Sequence, residues 1–234
     1  MNSPTRGVAP KLAVVERQAS IDQFAFVSAV EPMLAAKDTQ GLIALLRERW
    51  TPEQIVSLLH SHHCDVRKVA ALALSLVGCT ECLPALARKL KDPDPMVNEM
   101  AERAMWSIWF RQGRPPANCA VHRGVKAMEA GDLDAAIGHF TRAIEIDPDF
   151  AEAWNQRAIA LYLKERYDES IRDAHEAVAR NPQHFGAWAG LGHCYAQLGR
   201  FRQAMNAYQR ALSINPNWEC VAQAVEELRQ SLDG

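Results

Sequence analysis

The chain has 234 residues, of which 48% are apolar and 23% charged, with a formal net charge of -2. That length and apolar content allow a sizeable core in one or two domains and exclude wholesale disorder. Lysine and arginine are scattered, and the halves on either side of residue 116 each lie within a few charges of zero, so capture of nucleic acid or an anionic membrane by clustered positive charge is excluded as a first reading.

The opening MNSPTRGVAPKLAVV lacks the apolar run of a secretory signal, and residues 1–19 are expected to form a disordered tail. The longest apolar run, Val69 to Val77, is broken by Ser75; no segment approaches the roughly 20 apolar residues of a membrane span. Six irregularly spaced cysteines read as thiols of a reducing compartment, so the expected location is cytoplasmic. A first helix pair is predicted at about Ile21 to Ala36 and Thr39 to Trp50, capping a helical stack.

Residues 20–112 repeat weakly in steps of 31. Val66, Ala70 and Ala73 return as Val97, Ala101 and Ala104, and Ile55 and Leu59 return as Leu86 and Leu90. Two helix pairs are implied, with Asp65 and Asp94 near the start of each second helix, where the helix dipole favours an acid. This stretch resembles HEAT repeats of the short, bacterial type, although Asn98 stands where that type usually carries arginine.

His60, His62, His63 and Cys64 precede one of these helices and Cys79-Thr80-Glu81-Cys82 comes after it. The C-x-x-C spacing suits redox or zinc chemistry. A helix over Asp65 to Val77 places the two clusters roughly 20 Å apart at about 1.5 Å per residue, beyond the span of one ion, so no metal site is expected. Trp106 and Trp109, three apart on one helix, are expected to stack at the junction with the C-terminal half of the chain.

Arg111 to Asn118 concentrates glycine and two prolines, and residues 113–116 are read as an extended linker between domains. Beyond it the period is 34: Pro148, Pro182 and Pro216 are evenly spaced. In the copy 185–218, Trp188, Leu191, Gly192 and Tyr195 are followed by Ala204, Tyr208, Ala211 and Pro216. The copy 151–184 keeps Trp154, Ala177 and Pro182, and the copy 117–150 keeps Gly124, Ala136, Phe140, Ala143 and Pro148. Small residues let two helices approach, aromatics fill the wedge, and proline ends the second helix. This pattern resembles the tetratricopeptide repeat family. Residues 219–234, with Val221, Val225, Leu228 and Leu232 at helical spacing, read as the helix that covers the last apolar face. The expected fold is all-α, an α-solenoid in which a HEAT-like stack runs into three tetratricopeptide repeats on one rigid rod.

The resemblance implies a concave groove lined by the first helix of each repeat and able to take an extended peptide or a helix. Carried over residue by residue, its floor is Val121, His122, Val125 and Met128, then Asn155, Gln156, Ile159 and Tyr162, then Ala189, Gly190, His193 and Ala196. Asn155 and Gln156 offer donors and acceptors to a ligand backbone, and Gly186, Ala189 and Gly190 leave room for a bulky side chain. Chaperone-binding members of the family clamp a C-terminal carboxylate, but the places they use fall here on Val121, Val125, Gln156, Gly186 and Gly190, none a cation. No catalytic constellation and no cofactor motif stands out. The expected function is therefore a non-catalytic adaptor for a protein or peptide partner. The alternative is a structural, self-associating protein whose groove is filled by another copy or by its own tail through Val8, Leu12, Val14 and Val15. A more remote one is an enzyme subunit like the bilin lyases that carry short HEAT-like repeats.

Overall fold

The computed structural model describes residues 21–233, so the expected tail at 1–19 lies outside the described residues. All regular structure among them is helical, in thirteen α-helices and one 3-10 turn.

The first six helices are α1 (Gln23–Ala35), α2 (Thr39–Arg49), α3 (Pro52–Leu58), α4 (Cys64–Val77), α5 (Leu83–Lys89) and α6 (Pro95–Arg111), with the 3-10 turn at Thr80–Cys82 between α4 and α5. Their starts obey local chemistry. Asp22, Asp38 and Asp94 accept the free amides of the first turns, and Thr51 and Gln54 form a reciprocal capping box with Pro52 as the first helical residue. Phe26, Leu46, Ile55, Leu59, Leu74, Leu86 and Leu90 fill the core between them and are almost fully buried.

Arg67 ties the interhelical loops together. It makes a two-pronged pair with Asp92, at 2.9 Å from Nε and 2.7 Å from Nη2, and donates to the Ser61 and His62 carbonyls. Asn98, 31 residues on, donates to the Asp92 carbonyl. Ser61 and Asp92 are also 31 apart, so arginine and asparagine hold equivalent carbonyls.

The remaining helices are α7 (Pro115–Glu129), α8 (Leu133–Ile146), α9 (Ala151–Leu163), α10 (Tyr167–Arg180), α11 (Phe185–Gln197), α12 (Phe201–Ile214) and α13 (Glu219–Asp233). Pro115 and Pro116, read as an extended connection, occupy the first turn of α7, where proline leaves no extra amide unsatisfied. The turns inside the three pairs superimpose at 34-residue steps. Gly131, Glu165 and Gly199 all have positive φ, at 79°, 59° and 67°, and each is followed by an amide bonded back to the preceding helix, at Ala127, Leu161 and Tyr195. Two of the pairs close on an aromatic wedge: the ring of Phe140 lies where a Cβ on Gly124 would be, and that of Tyr208 where one on Gly192 would be.

The solenoid does not run on as a rod. α6 lies back along one edge of the array formed by α7–α12, across the points where one helix pair meets the next. Gly113 presses on Phe150, Trp109 stacks on His184 at 4.3 Å, and Trp106 and Trp218 both pack edge-on against Phe185. At the far end Asn215 donates to Glu102 and Asn217 to the Leu90 carbonyl. Phe185, Ile214 and Trp218 accordingly belong to the same apolar core as α1–α6.

Candidate functional site

α9 and α11 run side by side and present the positions expected to face the groove. Ile159 and Tyr162 form one wall, while Gly186, Ala189 and Gly190 keep the other low. The result is a cavity of about 360 Å3, also lined by Asn155 and His193, floored by Ala158, Ser170 and Ala174, and closed at one end by Trp106 and Trp218. Its surface is largely apolar, and Leu163, 53% exposed, stands at its mouth. A Cβ on Gly190 would meet nothing within 4 Å, so the backbone itself makes part of the opening.

Six of the twelve expected groove residues meet around this cavity: Asn155, Ile159, Tyr162, Ala189, Gly190 and His193. Ala196 lies in a second cavity of about 430 Å3, which shares His193 with the first and continues along α13 past Gln197, Gln223 and Glu227. The α7 residues are elsewhere. Val121 is fully buried with Phe140 and Phe150, Val125 and Met128 pack against the same cluster, and His122 is exposed. Gln156 is buried and does not line the cavity.

The amides expected to await a ligand are engaged from below. Glu152, its side chain wholly buried, accepts Asn155 Nδ2 at 3.3 Å and Gln156 Nε2 at 2.6 Å through Oε1. Its Oε2 lies 2.8 Å from His184 Nε2. Because His184 Nδ1 accepts the Ala187 amide, the ring proton is on Nε2 and points at Glu152. Three donors thus converge on one carboxylate. Trp109 stacked on His184 seals the cluster, at the cost of a buried indole N–H and a Gln156 carbonyl oxygen without partners.

His193, between the two cavities, has Nδ1 hydrogen-bonded with the Tyr208 hydroxyl at 2.8 Å, and burial lowers its pKa, which favours the neutral ring at pH 7. Trp106 and Trp218 are the site residues that groove positions alone miss. The usable signal is the 34-residue series Phe150, His184 and Trp218, which marks the edge of the array that α6 covers.

The other candidate chemistry does not assemble here. Cys79 and Cys82 lie 3.8 Å apart in sulfur position, but burial, then Glu81 and Cys82, push the Cys79 thiol up to about 12, leaving almost no thiolate at neutral pH. His60, His62 and His63 lie at the other end of α4. Among the described residues no group of three His, Cys, Asp or Glu side chains is placed to hold a metal, and no helix is long and apolar enough to cross a membrane.

Comparison with known proteins agrees with this geometry. Models of the tetratricopeptide repeat match residues 151–184 and 186–217, and a TPR repeat model matches 127–164, so the chain carries these repeats. A TPR repeat-containing protein of Rhizobium etli is 29% identical over 147 residues, covering 63% of this chain and 71% of the relative. The small glutamine-rich tetratricopeptide repeat-containing protein 2 of Mycosarcoma maydis is 32% identical over 109 residues, 47% of this chain but only 31% of its own length. Anaphase-promoting complex subunit 3 of Schizosaccharomyces pombe is 38% identical over 145 residues, 56% of this chain and 22% of that protein. Among solved structures, the first TPR of Spaghetti (RPAP3) bound to an HSP90 peptide aligns with TM-score 0.51 and 24% identity, over 52% of this chain and 99% of that one. The Sgt2 TPR domain from Aspergillus fumigatus aligns with TM-score 0.50 and 21% identity, over 52% and 82%. These likenesses, which cover about half of the chain, show the tetratricopeptide solenoid fold there.

Proposed function

We propose that this protein is a non-catalytic adaptor that receives a segment of a partner protein in the groove of α9 and α11. The carrying observation is the apolar cavity between Tyr162, Ile159 and Gly190, which has the depth to take a bulky apolar side chain and too few polar groups to perform chemistry on it. In this reading residues 117–218 are the binding array, 219–234 its cap, and 20–112 a HEAT-like unit that supplies Trp106 to the site. The equivalent roles of Arg67 and Asn98 support the HEAT-like assignment. The assumed compartment is a reducing cytoplasm, in which the exposed thiols of Cys119 and Cys220 are kept free.

Clamping of an acidic C-terminal tail is disfavoured, because no lysine or arginine is among the described residues that line the cavity. A Gly190→Trp variant tests the proposal. Its Cβ has free space, so the helix should form and the indole should fill the groove. Proteins captured from a source-cell lysate by the wild-type chain should be missing with the variant, at unchanged helical circular dichroism. The same proteins captured by both would remove the groove from consideration.

A further inference from the structure

Away from the groove, the two parts of the chain enclose a cleft of about 370 Å3 between α5 and the end of α12. Arg88, near the end of α5, Lys91, in the turn after it, and Arg210, on α12, all line it. Pro84, Ala87 and Ile214 give it an apolar lining, and no aspartate or glutamate is among the described residues that border it. The three cations are exposed. Among the described residues Arg88 and Lys91 make no ion pair, and the Arg210 guanidinium has only a long approach to the Trp188 ring, at 6.0 Å. One positive side chain near a helix C-terminus is ordinary. Three around a single opening, drawn from both parts of the chain and with no acid among them, create a positive potential that an anion would relieve.

We infer that this cleft is a second docking site, separate from the groove, and that it takes an acidic segment of a partner protein. Aspartate or glutamate side chains of that segment pair with Arg88, Lys91 and Arg210, and an apolar residue between them covers Pro84, Ala87 and Ile214. The site does not depend on the groove being a peptide site. The apolar lining distinguishes this ligand from a free phosphate, which would satisfy the cations and leave that surface bare. A nucleic acid backbone needs a longer stripe of charge, and here the next cations along the chain, Lys89 and Arg180, are already paired with Asp92 and Glu176. The chain's own residues 1–20 carry Arg6, Lys11 and Arg17 against Glu16 alone, the wrong sign for this cleft.

A random dodecapeptide display library panned on the full-length chain, and counter-selected on the double variant Arg88→Glu/Arg210→Glu, is the direct test. Both positions are exposed, so helical circular dichroism should be unchanged. Peptides lost on the double variant should carry two or more aspartates or glutamates beside a leucine, isoleucine, valine or aromatic residue. A synthetic copy of the best one should bind the double variant at least about tenfold more weakly than wild type, and Lys91→Gln about two- to fivefold more weakly. Its affinity for wild type should fall as salt is raised to about 0.5 M. No peptide that separates wild type from the double variant, separating peptides without acids, or an unchanged affinity in Lys91→Gln would overturn the inference. The peptide should bind Gly190→Trp as tightly as wild type, and a loss there would put it in the groove and remove the second site. Excess inorganic phosphate at matched ionic strength, or a single-stranded thymidine dodecamer, should leave the peptide bound; displacement by either would reassign the cleft to a phosphate ligand. A dimer in light scattering that the double variant abolishes would replace the partner by another copy of this chain.

Discussion

Two glycines on α11 meet opposite surroundings. At Gly192 a Cβ would lie 2.4 Å from the Tyr208 ring, and at Gly190 it would meet open space. Gly192→Ala should therefore cost about 1–3 kcal/mol, since a buried aromatic wedge has little room to retreat. Gly190→Ala should gain about 0.5–1 kcal/mol by restricting the unfolded chain and favouring the helix. Urea unfolding midpoints at constant slope measure both, and a loss at Gly190 would show the opening to be occupied. The first glycine was legible in the sequence, because it sits at the small position of the repeat pattern. The second was legible only as a small residue facing the groove. What set the polarity beneath it, the bonds of Glu152 to Asn155, Gln156 and His184, joins residues up to 32 apart in sequence and carries no pattern of its own.

Each helix pair repeats the same turn, and the copies show how much residue identity that turn tolerates. Glu165 takes the left-handed conformation that its counterparts give to Gly131 and Gly199, so the period of 34 fixes backbone shape more tightly than side chain. Among α3–α6 the equivalent fixed point is the Arg67 and Asp92 pair, which joins the loop before α4 to the loop before α6. Burial alone would raise the Asp92 pKa, but bonds from Arg67 and Lys89 and from the Asp94 amide outweigh it and bring it below the usual carboxylate range. The stabilisation is then full above the unfolded carboxylate value of about 3.9 and is lost as pH falls through the lower folded value. Asp92→Asn should lower stability by about 3 kcal/mol near neutral pH and make the acid limb of the stability profile less steep. Thermal unfolding from pH 7 down to about pH 2 checks this, and parallel profiles for the two proteins would refute it. The sequence placed these helices closely because proline and aspartate mark their starts. It held no sign that an ion pair 25 residues apart would join their loops.

On the scale of the molecule, the 34-residue repeat was visible as a period and the N-terminal helices as a weaker one of 31, whereas the arrangement of the two parts was not. Periodicity describes how neighbours stack and says nothing of contacts between residues such as Leu90 and Asn217, 127 positions apart. The shared core predicts one cooperative unfolding transition for the full chain. A fragment of residues 115–234 should melt more than about 5 °C lower, because Phe185 and Trp218 lose their cover. Two transitions in the full chain, the later one matching the fragment, would show that the units unfold independently. Solenoids usually lengthen freely, since each unit touches only its neighbours. Here α6 is joined in sequence to the first repeat and is bonded again to the end of the third, so the path returns to its origin. Duplicating a 34-residue unit anywhere between α7 and α12 would carry Asn215 and Trp218 one step away from Glu102 and Trp106. Three is thus the copy number that closes the circuit, and gain or loss of a repeat would remove an end wall of the cavity along with the unit.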